Sequence, residues 1–158
     1  MTTILRAEIE TFAVAGRFTI ARGSRTEQRV VRVELERNGV VALGECVPYA
    51  RYGETPEETL ATILALGPQI AAGLDRAQLQ SALPPGAARN GIDCAFWSLE
   101  ARLAGADIAD LAGVDWPKTM TTAFTISLDT PEAMAAAAQK AAHMPLLKLK
   151  LGAAGDLE

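Results

Sequence analysis

Two lysines alternate with leucines in the stretch LLKLKLG, residues 146–152. Alternate residues of a strand point the same way, about 6.5–7 Å apart, so Lys148 and Lys150 share a face while Leu147, Leu149 and Leu151 take the other. Two readings fit this pattern. An amine beside a second cation in a dry site is more readily neutral, and a neutral amine near pH 7 can accept a proton, which is general-base chemistry. Alternatively, the lysines sit on a solvent-exposed edge strand and guard it against pairing with other chains. A second cationic feature is FTIARGSRTE (18–27), where Arg22 and Arg25 flank Gly23 in what reads as a solvated loop. A guanidinium fork suits a carboxylate better than an ammonium does. Other reagents are scarce. His143 is the single histidine, close to Pro145 in a predicted loop, so a histidine metal site or a Ser-His-Asp triad has at most one candidate. Cys46 and Cys94 lack CxxC spacing, and reduced thiols are expected.

The elements that must hold these residues fall into three stretches. ILRAEIETFAV (4–14) reads as a first strand. RVVRVELERNGVVALGEC (29–46) reads as a hairpin: Val31, Val33 and Leu35 alternate with Arg32, Glu34 and Glu36, and Asn38-Gly39 is a type I′ turn signal. Residues 4–46 are therefore expected to form a three-stranded antiparallel meander with a loop near 16–27. The next stretch is helical. Thr55, Pro56 and Glu58 form a capping-box signature that starts a helix running to about Leu66. DRAQLQSAL (75–83) is a short helix closed by Pro84-Pro85-Gly86. AARNGIDCAFWSLEARLAG (87–105) places Ile92, Phe96, Leu99 and Leu103 on one face with Gly105 at its end, and Phe96 and Trp97 read as core.

After Trp116-Pro117 the pattern changes to strand (TTAFTISL, 121–128), helix (from Thr130-Pro131-Glu132) and strand (LLKLKLG). That is a βαβ unit with parallel strands. Parallel strands are covered on both faces and belong to larger sheets, so this unit reads as the first piece of a (β/α)₈ barrel, which needs about 250 residues. The domains expected are 1–115, a cap, and 116–158, an incomplete barrel. In a barrel strand the leucines would lie under the helices and the lysines would point inward, near the C-terminal mouth.

Composition bounds the partners. The 158 residues are 49% hydrophobic and 22% charged, with a formal charge of −4, and the sequence contains no Lys/Arg block. Nucleic acid and anionic membrane are therefore not expected as partners. No secretion signal or transmembrane stretch is read in the sequence, and a cytoplasmic location is expected. Self-association is left open.

An antiparallel meander, a helical cap and a strand bearing Lys-x-Lys together resemble the enolase superfamily, and within it the dipeptide epimerases of the L-Ala-D/L-Glu epimerase type. The resemblance is carried by FTIARGSR (18–25), GECVPYARYGET (44–55), PPGAARNGIDCAFWSLEARLAG (84–105), TTAFTISL and LLKLKLG. It implies an α+β capping domain followed by the first βαβ of a truncated (β/α) barrel. It implies 1,1-proton transfer at the α-carbon of the C-terminal residue of a small acidic dipeptide such as L-Ala-L-Glu, of the kind met in cell-wall peptide recycling. Lys150 then resembles the catalytic acid/base, and Lys148 the partner that touches the substrate carboxylate. Arg25 matches the position that pairs with the glutamyl side chain, Thr125 a substrate-contacting hydroxyl, and Tyr52 and Gly53 a second specificity loop that closes over the mouth. Mg²⁺ is the implied cofactor. Its three carboxylate ligands, the second catalytic lysine and the aspartates for the substrate ammonium are expected beyond Glu158, so the 158 residues alone are expected to be inactive. Two other readings stand beside this one. One is another reaction of the superfamily, such as o-succinylbenzoate synthesis or cycloisomerisation, against which Arg25 and the RYGET loop argue. The other is a non-catalytic remnant that acts as a folded or partner-binding domain.

Overall fold

Alternation of apolar and charged residues from Val31 to Glu36 produces a strand with one dry face, and the main hydrophobic core gathers on that face. The computed structural model describes residues 2–117 and 119–152, and Met1, Lys118 and residues 153–158 lie outside them. Two units are formed: Met1–Thr11 with Arg29–Trp116, and Phe12–Gln28 with Pro117–Glu158. Strands β1 (Ile4–Ile20), β2 (Gly23–Arg37) and β3 (Val40–Cys46) lie side by side in that order. β2 and β3 pair antiparallel, with Val33 opposite Gly44. Asn38 (φ 55°) and Gly39 (φ 75°) make the expected turn between them. The segment 16–27, expected as a loop, is instead strand almost throughout. β1 and β2 continue to a tight turn at Ala21-Arg22, because Phe18, Thr19 and Ile20 favour extended backbone and each strand satisfies the other's peptide groups.

Within the first unit, Val31, Val33 and Leu35 are fully buried, as the alternation requires. The charged face of β2 is not simply wet. Arg6 pairs with Glu34 (2.7 Å) and Glu36 (2.9 Å), and Arg32 pairs with Glu10 (2.7 Å) and Glu8, so a ladder of ions covers the strands. Helix α1 (Pro56–Ala65) starts at Thr55, whose Oγ1 accepts the Glu58 N–H at 3.2 Å. The Glu58 carboxylate accepts the Thr55 hydroxyl (2.9 Å) rather than its backbone N–H. α2 (Gly67–Ala71) follows, and α3 (Arg76–Ala82) opens with a full capping box between Asp75 and Gln78. α4 (Ala87–Ala104) ends at Gly105 in the left-handed region, and α5 (Ile108–Ala112) follows. Ile92, Phe96 and Leu99 are buried, but Leu103, in the last turn of α4, is partly exposed. Trp97 is half-buried, and its ring carries the Arg76 guanidinium at 3.6 Å.

α4 lies on β3 at close range. A Cβ on Gly44 would stand 2.2 Å from the Gly91 carbonyl oxygen and 2.6 Å from the Ala95 nitrogen. Gly91 is similarly confined by Cys46 Sγ at 3.0 Å and Val33 Cγ2 at 3.2 Å. Arg102 adds a hydrogen bond to the Val41 carbonyl at 2.7 Å. In the second unit, β4 (Phe124–Ile126) and β5 (Leu147–Leu149) are parallel and joined through α6 (Pro131–Lys140), as the βαβ reading requires. Both strands are shorter than the apolar stretches suggested.

Two outcomes are expected. Gly44→Ala should destabilise the fold by about 3 kcal/mol or more, because the new methyl meets backbone that cannot rotate away. A urea midpoint that falls with an unchanged slope checks this, and an unchanged midpoint contradicts the packing. Both cysteines are free. Burial, with the Glu54 charge adding to it, pushes the Cys46 thiol up to about 11, whereas Cys94 is exposed and desolvation raises its thiol only in part. A disulfide-exchange reagent at pH 8 should therefore modify Cys94 in the folded chain and Cys46 only after denaturation. Because folding raises the Cys46 value, its contribution to stability is present below the ordinary thiol range and fades as pH rises toward 11.

Candidate active site

β4 and β5 pair with Thr125 opposite Lys148 and Ile126 opposite Leu149. Directly opposed residues project to the same side, so Thr125 and Lys148 share a face, and Lys150, two residues on, joins them. The ladder runs on beyond the formal strand, for the Lys150 N–H donates to the Ile126 carbonyl at 3.1 Å. On the other side Ile126 is 2% exposed, and α6 packs on β4. Leu149 is 54% exposed and Leu151 50%. Lys148 is exposed and Lys150 half-buried. Among the described residues neither lysine is drawn into an ion pair. The result is two amines and a hydroxyl on one face of a parallel pair, which can hold a carboxylate and move a proton.

Arg22 and Arg25 belong to the same unit, on the hairpin formed by the ends of β1 and β2. Both are exposed. Across the turn, the Thr19 hydroxyl donates to Ser24 Oγ at 3.2 Å, and the Arg25 guanidinium lies 5.2 Å from the centre of the Phe18 ring. That contact limits the rotamers of an otherwise exposed Arg25. The hairpin is tied to the end of β4: the Leu128 N–H donates to the Thr19 carbonyl at 3.1 Å.

Tyr52 and Gly53 belong to the first unit. A 3₁₀ turn at Ala50–Tyr52 is closed by Gly53 (φ 75°), and Tyr52 is 76% exposed, its ring 5.8 Å from that of Tyr49. The loop is held by Glu54. One carboxylate oxygen accepts the Tyr49 N–H at 3.2 Å, and the other accepts the Ala87 N–H at 2.6 Å. Glu54 thereby caps α4, whose own N-cap residue, Gly86, has no side chain to do so. A cavity of about 190 Å³ beside Gly53, Glu54, Thr59 and Pro85 contains no residue of the lysine face. His143 is exposed in the turn after α6. Among the described residues, no group of three or more His, Cys, Asp or Glu side chains could hold a metal ion. No helix among them is long and apolar enough to cross a membrane.

Phe18, Glu54 and Ser127 were not singled out in the sequence. Phe18 could have been, as an aromatic facing an arginine across a tight turn. Glu54 and Ser127 act on residues 33 and 108 positions away, and no local pattern announces that.

Residues 5–113 match the mandelate racemase / muconate lactonizing enzyme N-terminal domain. An L-Ala-D/L-Glu epimerase from Escherichia coli K12 is 50% identical over 136 residues, which cover 85% of this chain and 42% of that protein. A crystal structure of an enolase family member from Agrobacterium tumefaciens with homology to dipeptide epimerases, holding sodium and L-Ala-L-Glu with an ordered loop, is similar at a TM-score of 0.93 and 47% identity, over 98% of this chain and 47% of that one. A dipeptide epimerase from Enterococcus faecalis, complexed with Mg and L-Leu-L-Tyr, is similar at a TM-score of 0.85 and 28% identity, over 97% of this chain and 46% of that one. The chain thus spans less than half the length of these relatives. A three-stranded meander under a helical cap, followed by a parallel pair, is the arrangement these relatives share, and the chain belongs to the mandelate racemase / muconate lactonizing enzyme family of the enolase superfamily, among relatives that are dipeptide epimerases.

Proposed function

We propose that the chain contributes one catalytic face and two specificity loops to a dipeptide epimerase acting on a small acidic dipeptide such as L-Ala-L-Glu. The observation that carries this reading is the pairing of Thr125 with Lys148, with Lys150 next on the same face. Lys150 Nζ removes or returns the proton at the α-carbon of the C-terminal residue. Lys148 Nζ holds that residue's carboxylate. Thr125 offers a hydroxyl to the substrate. Arg25 takes the side-chain carboxylate with its fork, and the loop of Tyr52 and Gly53 excludes water from the mouth.

Inversion needs a second base on the opposite face of the α-carbon. This reading assigns that base to residues outside those described. The Mg²⁺ that accompanies the Enterococcus faecalis neighbour would, in this family's chemistry, steady the carboxylate of an enolised substrate. This reading assigns its ligands, like the second base, to residues outside those described. The net charge of −4 and the exposed arginines fit a small acidic substrate better than a polyanion.

With the full barrel present, Lys150→Ala should abolish epimerisation, with a loss of about 10²–10⁴-fold for a general base. It should still allow α-proton exchange without inversion on the enantiomer presented to the other base. Lys148→Ala should lower both directions together. Nuclear magnetic resonance of L-Ala-L-Glu in D₂O separates the two, and identical behaviour of the variants would remove the assigned roles. Residues 1–158 by themselves should give no α-proton exchange above a buffer blank in the same assay, even with Mg²⁺ added. Exchange there would contradict placing the second base and the metal ligands elsewhere.

A further inference from the structure

We propose that Ser127 is a positioning residue: it seats the hairpin that carries Arg25 on the end of β4 and so fixes where that guanidinium stands. The proposal deepens the function proposed above and rests on Arg25 reading the substrate side chain.

Ser127 lies just past β4, two residues after Thr125. Its Oγ accepts the Thr19 N–H at 3.4 Å and donates to the Arg17 carbonyl at 3.3 Å. The next residue, Leu128, donates its N–H to the Thr19 carbonyl at 3.1 Å. Three hydrogen bonds thus join the β1 arm of the hairpin to two consecutive residues at the end of one strand. From Thr19 the constraint passes through the Thr19–Ser24 hydroxyl contact to the β2 arm, where Arg25 stacks on Phe18. The turn itself has a second seat. Gly152 stands so close to Ala21 that a Cβ there would come within 2.5 Å of the Ala21 Cβ. Gly152 follows Lys150 by two residues, so the hairpin rests on the ends of both strands that carry the proposed chemistry.

The physical consequence is a shared reference frame. A strand pinned by a parallel ladder is far stiffer than a loop, and a site is positioned only as well as the shell that supports it. Ser127 ties Arg25 to the strand that holds Thr125. The distance between the guanidinium and the hydroxyl is then set by a few hydrogen bonds rather than by the length of the hairpin. Removing the hydroxyl leaves one of the three bonds. That widens the range of positions open to Arg25 without touching Lys148 or Lys150.

The test places Ser127→Ala, Ser127→Thr and Gly152→Ala in the protein with the full barrel present, the same background as the lysine variants above. Native-state trypsin cleavage after Arg22 and Arg25 reports hairpin opening directly and needs no activity. Ser127→Ala should accelerate it roughly three- to tenfold, the change expected when ordinary hydrogen bonds are lost. Ser127→Thr, which keeps the hydroxyl, should restore the wild-type rate. Gly152→Ala should accelerate cleavage through the other seat. Unchanged cleavage in Ser127→Ala overturns the proposal. The second readout is the ratio of kcat/KM for L-Ala-L-Glu to that for L-Ala-L-Gln. Ser127→Ala should lower the ratio roughly three- to tenfold, mainly through KM for the acidic dipeptide, because what is lost is binding common to ground and transition states. An unchanged ratio with a loosened hairpin also overturns the positioning role. If wild type turns over neither dipeptide, the proposed function fails, while the cleavage rates still decide whether Ser127 seats the hairpin.

Discussion

A backbone-to-backbone contact organises the first unit. α4 approaches β3 so closely that position 44 has room only for hydrogen, since a side chain there would overlap the Gly91 carbonyl and the Ala95 amide. Interiors are packed as densely as organic crystals, so such a contact fixes the helix in translation and rotation at once. The rest of the core follows from it. Val33 and Cys46 fill the space around Gly91, and Ile92, Ala95, Phe96 and Leu99 form the buried face of α4. α1 and α3 then pack on α4, where Ile63 and Leu79 are fully buried.

Fixing α4 also fixes its N-terminus, and there packing becomes relevant to the site. Gly86 cannot cap the helix, so Glu54 does, and the same carboxylate closes the loop from Tyr49. The loop bearing Tyr52 is therefore anchored to the most constrained helix of the unit by a charge-assisted hydrogen bond, which is stronger than a neutral one. Tyr52 stays exposed while its base is tied down. A rigid scaffold carrying an exposed side chain on a short loop is the usual form of a specificity element.

The second unit uses a different device. Its parallel pair is short, and although Ile126 and Ala141 are buried, Leu149 and Leu151 are half exposed. Position is set by hydrogen bonds: the parallel ladder through Phe124 and Lys150, and the ties from residues 127 and 128 to Arg17 and Thr19. β1 and β2 supply residues to both units.

The local patterns were legible without coordinates. Val31 to Glu36, Asn38-Gly39, Thr55-Pro56 and the Lys-x-Lys spacing each carry a period or a cap within a few residues of themselves. Strand, turn, helix start and the shared face of the lysines follow from backbone geometry alone. The meander, the cap and the parallel pair were read in this way. Segment 16–27 was misread as a loop because its polar and glycine residues lack alternation, and its strand character comes from a partner strand that satisfies its peptide groups. Leu103 was placed on the buried face by period, but only the packing partners of α4 decide where that face ends. Gly44, Glu54 and Ser127 carry the rest, and each acts on a residue distant in the chain. The space denied to a Cβ, the helix end in need of an acceptor and the carbonyl in need of a donor come into being only when those distant segments meet, so the sequence determined the elements and the chemistry they offer, while tertiary structure alone decided which side chains hold them in place.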